Sequence, residues 1–169
     1  DKAEWKKSSS TGTGAGQSIA VDFIGRDNPY LKVDSDPTNN GNTGDSSGIR
    51  VEGPLRVGGG TAILDGKYIH GTHRDARINA QKLDLTARKT IGSEAQPLRI
   101  SVGSGGLRAI ADEDSLRVDD LEGDLLVRRA RAGLDGAASQ EGALRLKTAG
   151  KLRYHRDTDA SSMLAKAQD

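Results

Sequence analysis

Acidic residues concentrated in one part of the chain are the first candidates for chemistry. The cluster comprises Asp112, Glu113, Asp114, Asp119, Asp120, Glu122 and Asp124. Several carboxylates on one surface could bind a metal ion or act as the general acid and base of a glycan-cleaving enzyme. However, the segments DEDS and DDLEGD have the Asp and Gly content of turns. We therefore interpret the cluster as turn residues, neutralised by nearby basic side chains, namely Arg117, Arg128, Arg129 and Arg131.

Two histidines and one polar loop are the candidate metal ligands. His70 and His73 are three residues apart, but their segment GKYIHGTHRD looks like a turn and offers no third ligand type nearby. The loop from Asp34 to Asp45 has several oxygen ligands, yet it lacks the acidic residue that closes a calcium loop. We predict no metal site and no cofactor, with weak calcium binding by this loop as the alternative.

Composition and missing motifs narrow the function classes. The sequence contains no nucleophile elbow, phosphate loop or dinucleotide fingerprint. Lys and Arg total 25 against 24 Asp and Glu, and the net charge of +1 argues against nucleic-acid binding. Cys is absent, which excludes disulfides and thiolate metal sites. No apolar run approaches the roughly 20 residues of a membrane span. We expect a non-enzymatic protein that neither binds nucleic acid nor inserts into a membrane.

Short runs of alternating apolar and polar residues predict the elements that carry these side chains. Leu-Arg recurs at Leu98, Leu107 and Leu116, nine residues apart each time, and the residues that follow alternate with period two. This period is typical of a strand with one buried face. About a dozen such runs occur along the chain, with no helical periodicity of any length between them. The sequence therefore predicts an all-β protein.

A longer period predicts how the strands are arranged. Leu98, Leu116, Leu134 and Leu152 are 18 residues apart, and internal periods near 20 residues are typical of solenoids. In a parallel β-helix, equivalent positions on successive coils stack about 4.8 Å apart. We predict such a helix, of about seven rungs, with these leucines in one inward column. An antiparallel β-sandwich is the alternative, because it also has many short strands.

The two ends of the chain differ in composition from the middle. Residues 1–17 are polar and rich in Gly and Ser, which predicts a flexible tail or linker. The predicted repeat domain covers residues 18–156. Residues 157–169 are expected to form a C-terminal tail or a short helix with Ser161 or Ser162 as its N-cap. Such a helix could cover the exposed strand edge of the last rung.

The segment LDLTARKTIGSEAQPLRISVGSGGLRAIADEDSLRVDDLEGDLLV resembles the repeats of filamentous-haemagglutinin-like giant surface proteins of bacteria. SIAVDFIGRDNPYLKVDS and SGIRVEGPLRV resemble an earlier pair of rungs, and GALRLKTAGKL resembles the next one, so the resemblance covers roughly residues 18–154. It implies a right-handed parallel β-helix, secretion to the cell surface, often through an outer-membrane partner, and work as an adhesin or matrix scaffold. The sequence departs from the family in placing Arg at outward positions and in lacking the secretion module. The resemblance thus implies an internal or C-terminal segment of a longer protein.

The expected function is that of a structural and adhesive segment of a secreted bacterial surface or biofilm-matrix protein. Such an elongated scaffold would contact polysaccharide or a host or cell-surface ligand. The outward arginines are the candidate contacts, namely Arg99, Arg108, Arg117, Arg145 and Arg153. Pairing of these arginines with acidic residues on adjacent rungs is the plainer interpretation. The alternative functions are a β-helical polysaccharide lyase or hydrolase that uses the acidic cluster, and a β-sandwich binding module.

Overall fold

The computed structural model describes residues 48–133 and 142–155, and before them three strands within residues 1–34. The described residues form thirteen strands and no helix. The strands are β1 (Trp5–Ser8), β2 (Ser18–Val21), β3 (Tyr30–Asp34), β4 (Ile49–Val51), β5 (Pro54–Arg56), β6 (Thr61–Gly66), β7 (Ile69–Gly71), β8 (Arg77–Ala87), β9 (Leu98–Ala111), β10 (Leu116–Asp120), β11 (Leu125–Ala132), β12 (Leu144–Thr148) and β13 (Leu152–Tyr154).

From β3 onward, every described strand pairing is parallel, and residues in Cα register on successive coils form columns. The first column contains Ile49, Ile69, Ile91, Leu116 and Leu144. The second contains Leu55, Ile78, Ile100, Asp120 and Thr148. The third contains Leu31, Ala62, Leu83, Leu107, Val127 and Tyr154. The five stacked positions of the first two columns make four turns of a β-solenoid, and β3 adds a sixth position to the third column, so the predicted parallel β-helix class is confirmed.

The predicted number of rungs and the predicted 18-residue coil are wrong. Steps along the first column, from Ile49 to Leu144, are 20, 22, 25 and 28 residues. Leu98 is in register with Val118, and Leu116 with Leu144, so the proposed leucine column does not exist. Leu134 lies outside the described residues. Coil length varies because the connections between strands take up different numbers of residues, and the regular leucine spacing therefore joins positions in different columns.

The first two strands are not hydrogen-bonded to the described parallel stack. β1 pairs with β2 in antiparallel register, with Trp5 opposite Val21, and the two form a separate sheet. The stretch 1–17, predicted to be a tail, thus contains a strand, and Ser18–Val21 is not a rung. Nearness in sequence favours this pairing, since a short connection can join antiparallel strands but not parallel ones. The predicted C-terminal tail or helix, at residues 157–169, lies outside the described residues.

The core consists of the inward aliphatic side chains of the stacked coils, including most of the column residues. In β6 partly exposed residues alternate strictly with buried ones, as expected for a strand with one buried face. The largest fully buried side chains are Leu64, Ile69, Ile78, Leu83, Leu85, Ile91, Leu98, Ile100, Leu107, Leu116 and Leu125. Each coil contributes a few of them, so burial is spread along the solenoid axis.

Candidate functional site

A shallow polar groove of about 390 Å³ lies where β8 and β9 pass from the second column to the third. Its polar lining consists of Asn79, Gln81, Ser101 and Glu122, with Gly103 between them. Four successive coils contribute to it, because further lining comes from a glycine of the first coil and another of the fourth. The groove therefore crosses the coils rather than lying within one of them.

The register of the strands and a β-bulge position the groove side chains. Asn79 is opposite Ser101 on the next coil, and the register shifts between Ala80 and Lys82, where the single residue Gln81 of β8 faces three residues of β9, 103–105. Gln81 Nε2 donates a hydrogen bond to Ser104 Oγ at 2.6 Å. The Cβ of any residue replacing Gly103 would lie 2.2 Å from Gln81 Oε1. The bulge thus turns the Gln81 amide across the glycine backbone of the adjacent coil.

The groove offers hydrogen-bonding groups and a single charge. Ser101 Oγ donates to Glu122 Oε2 at 2.9 Å, which orients that carboxylate at the edge of the groove. Asn79 Oδ1 is buried and meets no donor among the described residues, so it is an acceptor without a partner. Glu122 is the only ionisable residue of the lining. The amide, hydroxyl and carboxylate groups of the lining can hydrogen-bond to the hydroxyl groups of a neutral ligand. The charge of Glu122 disfavours an anionic ligand.

The five predicted contact arginines do not form a single stripe. Arg117 and Arg145 are in register on adjacent coils of the first column's strands. Arg99 lies on another part of the coil, opposite Asp119, whereas Arg108 and Arg153 lie on β9 and β13 of the third column's strands. The structure therefore brings together only one pair of the five.

Most of these arginines already have partners on the protein. Arg108 Nη1 lies 2.5 Å from Asp84 Oδ1 on the preceding coil, and Arg153 Nη2 lies 2.8 Å from Asp124 Oδ2. Arg99 donates to a backbone carbonyl, and Arg117 is 3.9 Å from a glutamate carboxylate. Arg145 is exposed and makes no ion pair within the described ranges. Pairing between adjacent coils thus accounts for Arg108 and Arg153.

The acidic cluster divides into turn residues and strand residues. Asp112 pairs with Arg131, and Glu113 Oε1 lies 2.7 Å from Arg88 Nε, so this part fits the predicted neutralised turn. Asp119 and Asp120, however, belong to β10.

Two carboxyl groups of the cluster have shifted pKa values. Burial raises the pKa of Asp120, whose side chain points inward and is 3% exposed. Hydrogen bonding from the Lys151 amide, followed by Arg153, lowers the pKa of Asp124. The cluster therefore does not present its carboxylates on one surface.

Sequence reasoning missed the inward position of Asp120, although the signal was present. Alternation from Leu116 through Val118 places Asp120 on the buried face. Its Asp-rich context suggested a turn instead. The groove carried no comparable signal, because it depends on the unequal coil lengths and on the bulge of β9 opposite Gln81.

The two candidate histidines have different surroundings. His70 Nε2 lies 2.7 Å from Thr90 Oγ1, and its ring stacks on Tyr68 with centroids 5.0 Å apart. Burial lowers the pKa of His70, and Arg50 lowers it further. His73 is exposed. In residues 48–133 and 142–155 no group of three His, Cys, Asp or Glu side chains could hold a metal ion. The candidate calcium loop falls outside the described residues after Asp34.

Comparison with known proteins assigns no family to the chain. No family model matches it, and no significant match is found among curated proteins or solved structures. In the part of the chain that the structure describes, no helix is long and apolar enough to cross a membrane. The groove and the open surfaces of the solenoid are thus the basis for a functional proposal.

Proposed function

We propose that this β-solenoid is a structural and adhesive segment of a secreted bacterial surface or matrix protein, and that its groove holds a neutral polysaccharide. The observation that carries the proposal is that four successive coils line one polar groove. Parallel coils repeat about every 4.8 Å, so the groove offers hydrogen-bonding groups at regular steps to a linear ligand. A linear glycan with hydroxyl groups along its length fits such a surface.

The chemistry of the lining supports this class of glycan. Asn79 Oδ1 is buried without a partner in the described structure, and rotation of the side-chain amide would turn this acceptor toward a sugar hydroxyl in the groove. Gln81 Oε1 and Glu122 Oε1 are further acceptors beside it. A polyanionic glycan would instead meet the Glu122 carboxylate, which repels it. The groove therefore favours neutral over uronate polysaccharides.

Affinity electrophoresis through gels that contain either a neutral polysaccharide, such as a β-glucan or galactomannan, or a uronate polysaccharide tests the proposal. The neutral polymer should retard the protein more strongly. Asn79→Ala should weaken binding roughly fivefold, the value of one hydrogen bond of about 1 kcal/mol. Glu122→Gln should lessen the discrimination against uronates, whereas Glu94→Gln, at an exposed glutamate outside the groove, should change neither.

Two results would overturn the proposal. The first is retardation by uronate polymers that is abolished by Arg117→Ala or Arg145→Ala, which would assign binding to the arginines. The second is a fall in polysaccharide chain length during incubation that is lost in the Asp119→Asn, Asp120→Asn double variant. That loss would establish the lyase or hydrolase alternative.

A further inference from the structure

A β-bulge in β11 places two successive arginines on the outer surface of the solenoid. Arg129 is in register with Arg108 of the preceding coil, and Val127 with the residue before Arg108, so Arg128 is the extra residue of β11. The inward positions on either side are Val127 and Ala130, which pack in the core. The two arginines between them are partly and fully exposed. Such a bulge redirects side chains and is often found beside functional sites.

Arg128 lies against the preceding coil with one buried donor unused. An added Cβ at Gly106 would lie 3.3 Å from Arg128 Cγ, so the aliphatic stem of Arg128 passes over a residue without a side chain. Arg128 Nε is buried and has no hydrogen-bond partner within the described ranges. A buried donor of a charged group is costly when it stays unpaired. An acceptor from outside the protein would remove that cost.

The charges around this bulge are not balanced. β11 and the positions in register with it hold five arginines, namely Arg108, Arg128, Arg129, Arg131 and Arg153. Three of the five pair with carboxylates, namely those of Asp84, Asp112 and Asp124. The two bulge arginines, which the sequence predicts to neutralise the acidic cluster, form no ion pair in the part of the chain that the structure describes. Two uncompensated positive charges therefore lie at adjacent positions, with a further arginine in register on the neighbouring strand.

We propose that the guanidinium groups of Arg128 and Arg129 bind a phosphate group, either the free ion or a phosphate monoester. A phosphate group carries a charge of about −1.5 to −2 at pH 7, which matches two unpaired guanidinium groups. Its oxygens accept the parallel N–H bonds that arginine donates. A uronate carboxylate has a single charge and would compensate only one of the two arginines. Neither arginine lines the polar groove, so this site is independent of the proposed glycan groove.

Nuclear magnetic resonance of the arginine Nε–H groups tests the proposal on the full chain at pH 7. Inorganic phosphate, added at constant ionic strength, should shift the Arg128 Nε–H signal and reach saturation; the loss of that signal in Arg128→Gln assigns it. Arg129→Gln should weaken binding about tenfold, because one of the two charged contacts is lost. Arg128→Lys should weaken it as much, since lysine keeps the charge without the planar pair of donors. Arg56→Gln, at an exposed arginine of β5, should leave affinity unchanged.

Methyl phosphate distinguishes the two sources of the ligand: comparable binding supports a monoester, and binding of inorganic phosphate alone supports the free ion. Circular dichroism confirms that each variant keeps its strand content. No saturable shift of the Arg128 signal would overturn the proposal, and so would unchanged affinity in Arg128→Lys, which would reduce the interaction to charge alone. A shift of that signal in phosphate-free Asp135→Asn, Glu141→Gln protein would assign the arginines to the chain's own carboxylates and contradict the proposed ligand.

Discussion

Asp120 is a carboxyl group in an otherwise aliphatic part of the core. Thr148 Oγ1 donates to its Oδ2 at 3.3 Å, while its Oδ1 is buried without a partner among the described residues. Burial raises the pKa of Asp120 above its ordinary value of 3.8. Hydrogen bonding from the backbone of Val102, the Thr148 hydroxyl and the backbone of Glu122 opposes that shift. The folded state thus favours the protonated acid, and ionisation of Asp120 destabilises it.

This raised pKa predicts a pH dependence of stability. The Asp120 contribution is fully present below the unfolded pKa, decreases as pH rises from about 4 to the raised value, and then stays level. Relative to wild type, Asp120→Asn should therefore gain stability across that window. Urea unfolding midpoints measured between pH 3.5 and 8 check this. A difference between the two proteins that does not vary with pH would contradict the assignment.

Asp124 provides a control of opposite sign for that measurement. Its pKa is lowered, chiefly by the hydrogen bond from the Lys151 amide and then by Arg153. Its contribution is present above the unfolded pKa and is lost as pH falls through the lowered value. Asp124→Asn should therefore be destabilising at neutral pH and lose that effect in acid.

At the scale of the element, one glycine sits where two coils approach closely. Gly92 has a φ of 67°, and an added Cβ would lie 2.2 Å from the carbonyl oxygen of Arg117 and 2.7 Å from the amide nitrogen of Leu98. Gly58 has a similar φ of 56°, but nothing lies within 4 Å of its added Cβ. Comparing the two positions separates the free-energy cost of a left-handed backbone conformation from the cost of a close contact between coils.

Alanine at these two glycines should therefore have unequal effects. Gly58→Ala should cost about 1–2 kcal/mol, the usual penalty for a left-handed residue with a Cβ. Gly92→Ala should add about 1–3 kcal/mol, because backbone atoms of the next coil must move. Denaturant unfolding measures both free energies. Equal losses at Gly58 and Gly92 would show that the coils are not in close contact at Gly92.

The inward and outward positions of β10 predict a second contrast. Leu116 is fully buried between Ile91 and Leu144, so Leu116→Ala should cost about 2–5 kcal/mol. Arg117 has only a distant ion pair, and Arg117→Ala should stay within about 0.5 kcal/mol. Leu152→Ala should fall between them, since Leu152 is 53% exposed. If thermal unfolding ranks Arg117→Ala as the most damaging, the inward assignment of β10 is wrong.

The alternation of residue types was enough to predict most strands, whereas the coils could not be predicted from spacing. Leu98 and Leu116 are both inward, as period two requires. They are not stacked, however, because the connections between strands differ in length from coil to coil. Those connections are polar and need no regular pattern, so nothing in their sequence indicates which strand lies above which. The groove depends on that stacking and was hidden for the same reason.

At the scale of the whole molecule, protection from solvent should follow position in the stack. β8 and β9 have strands on both sides, whereas β12 and β13 end the described stack. In a solenoid each coil is stabilised by its neighbours, so coils at an end open at lower free energy. Hydrogen exchange followed by mass spectrometry should show fast exchange in peptides from 144–154 and slow exchange in peptides from 77–111. Uniform protection across these peptides would indicate a single cooperative unit.

Because the coils contain unequal numbers of residues, the length of the solenoid along its axis is not proportional to the number of residues in the chain. Along the first column, the coil length rises from 20 to 28 residues, yet each coil advances the axis by one strand spacing of about 4.8 Å. Residues added to a connection enlarge the cross-section of the solenoid at that coil and leave its end-to-end distance unchanged. An insertion of several residues before Leu116 or before Leu144 would therefore extend a connection on the side of the solenoid without moving its two ends apart.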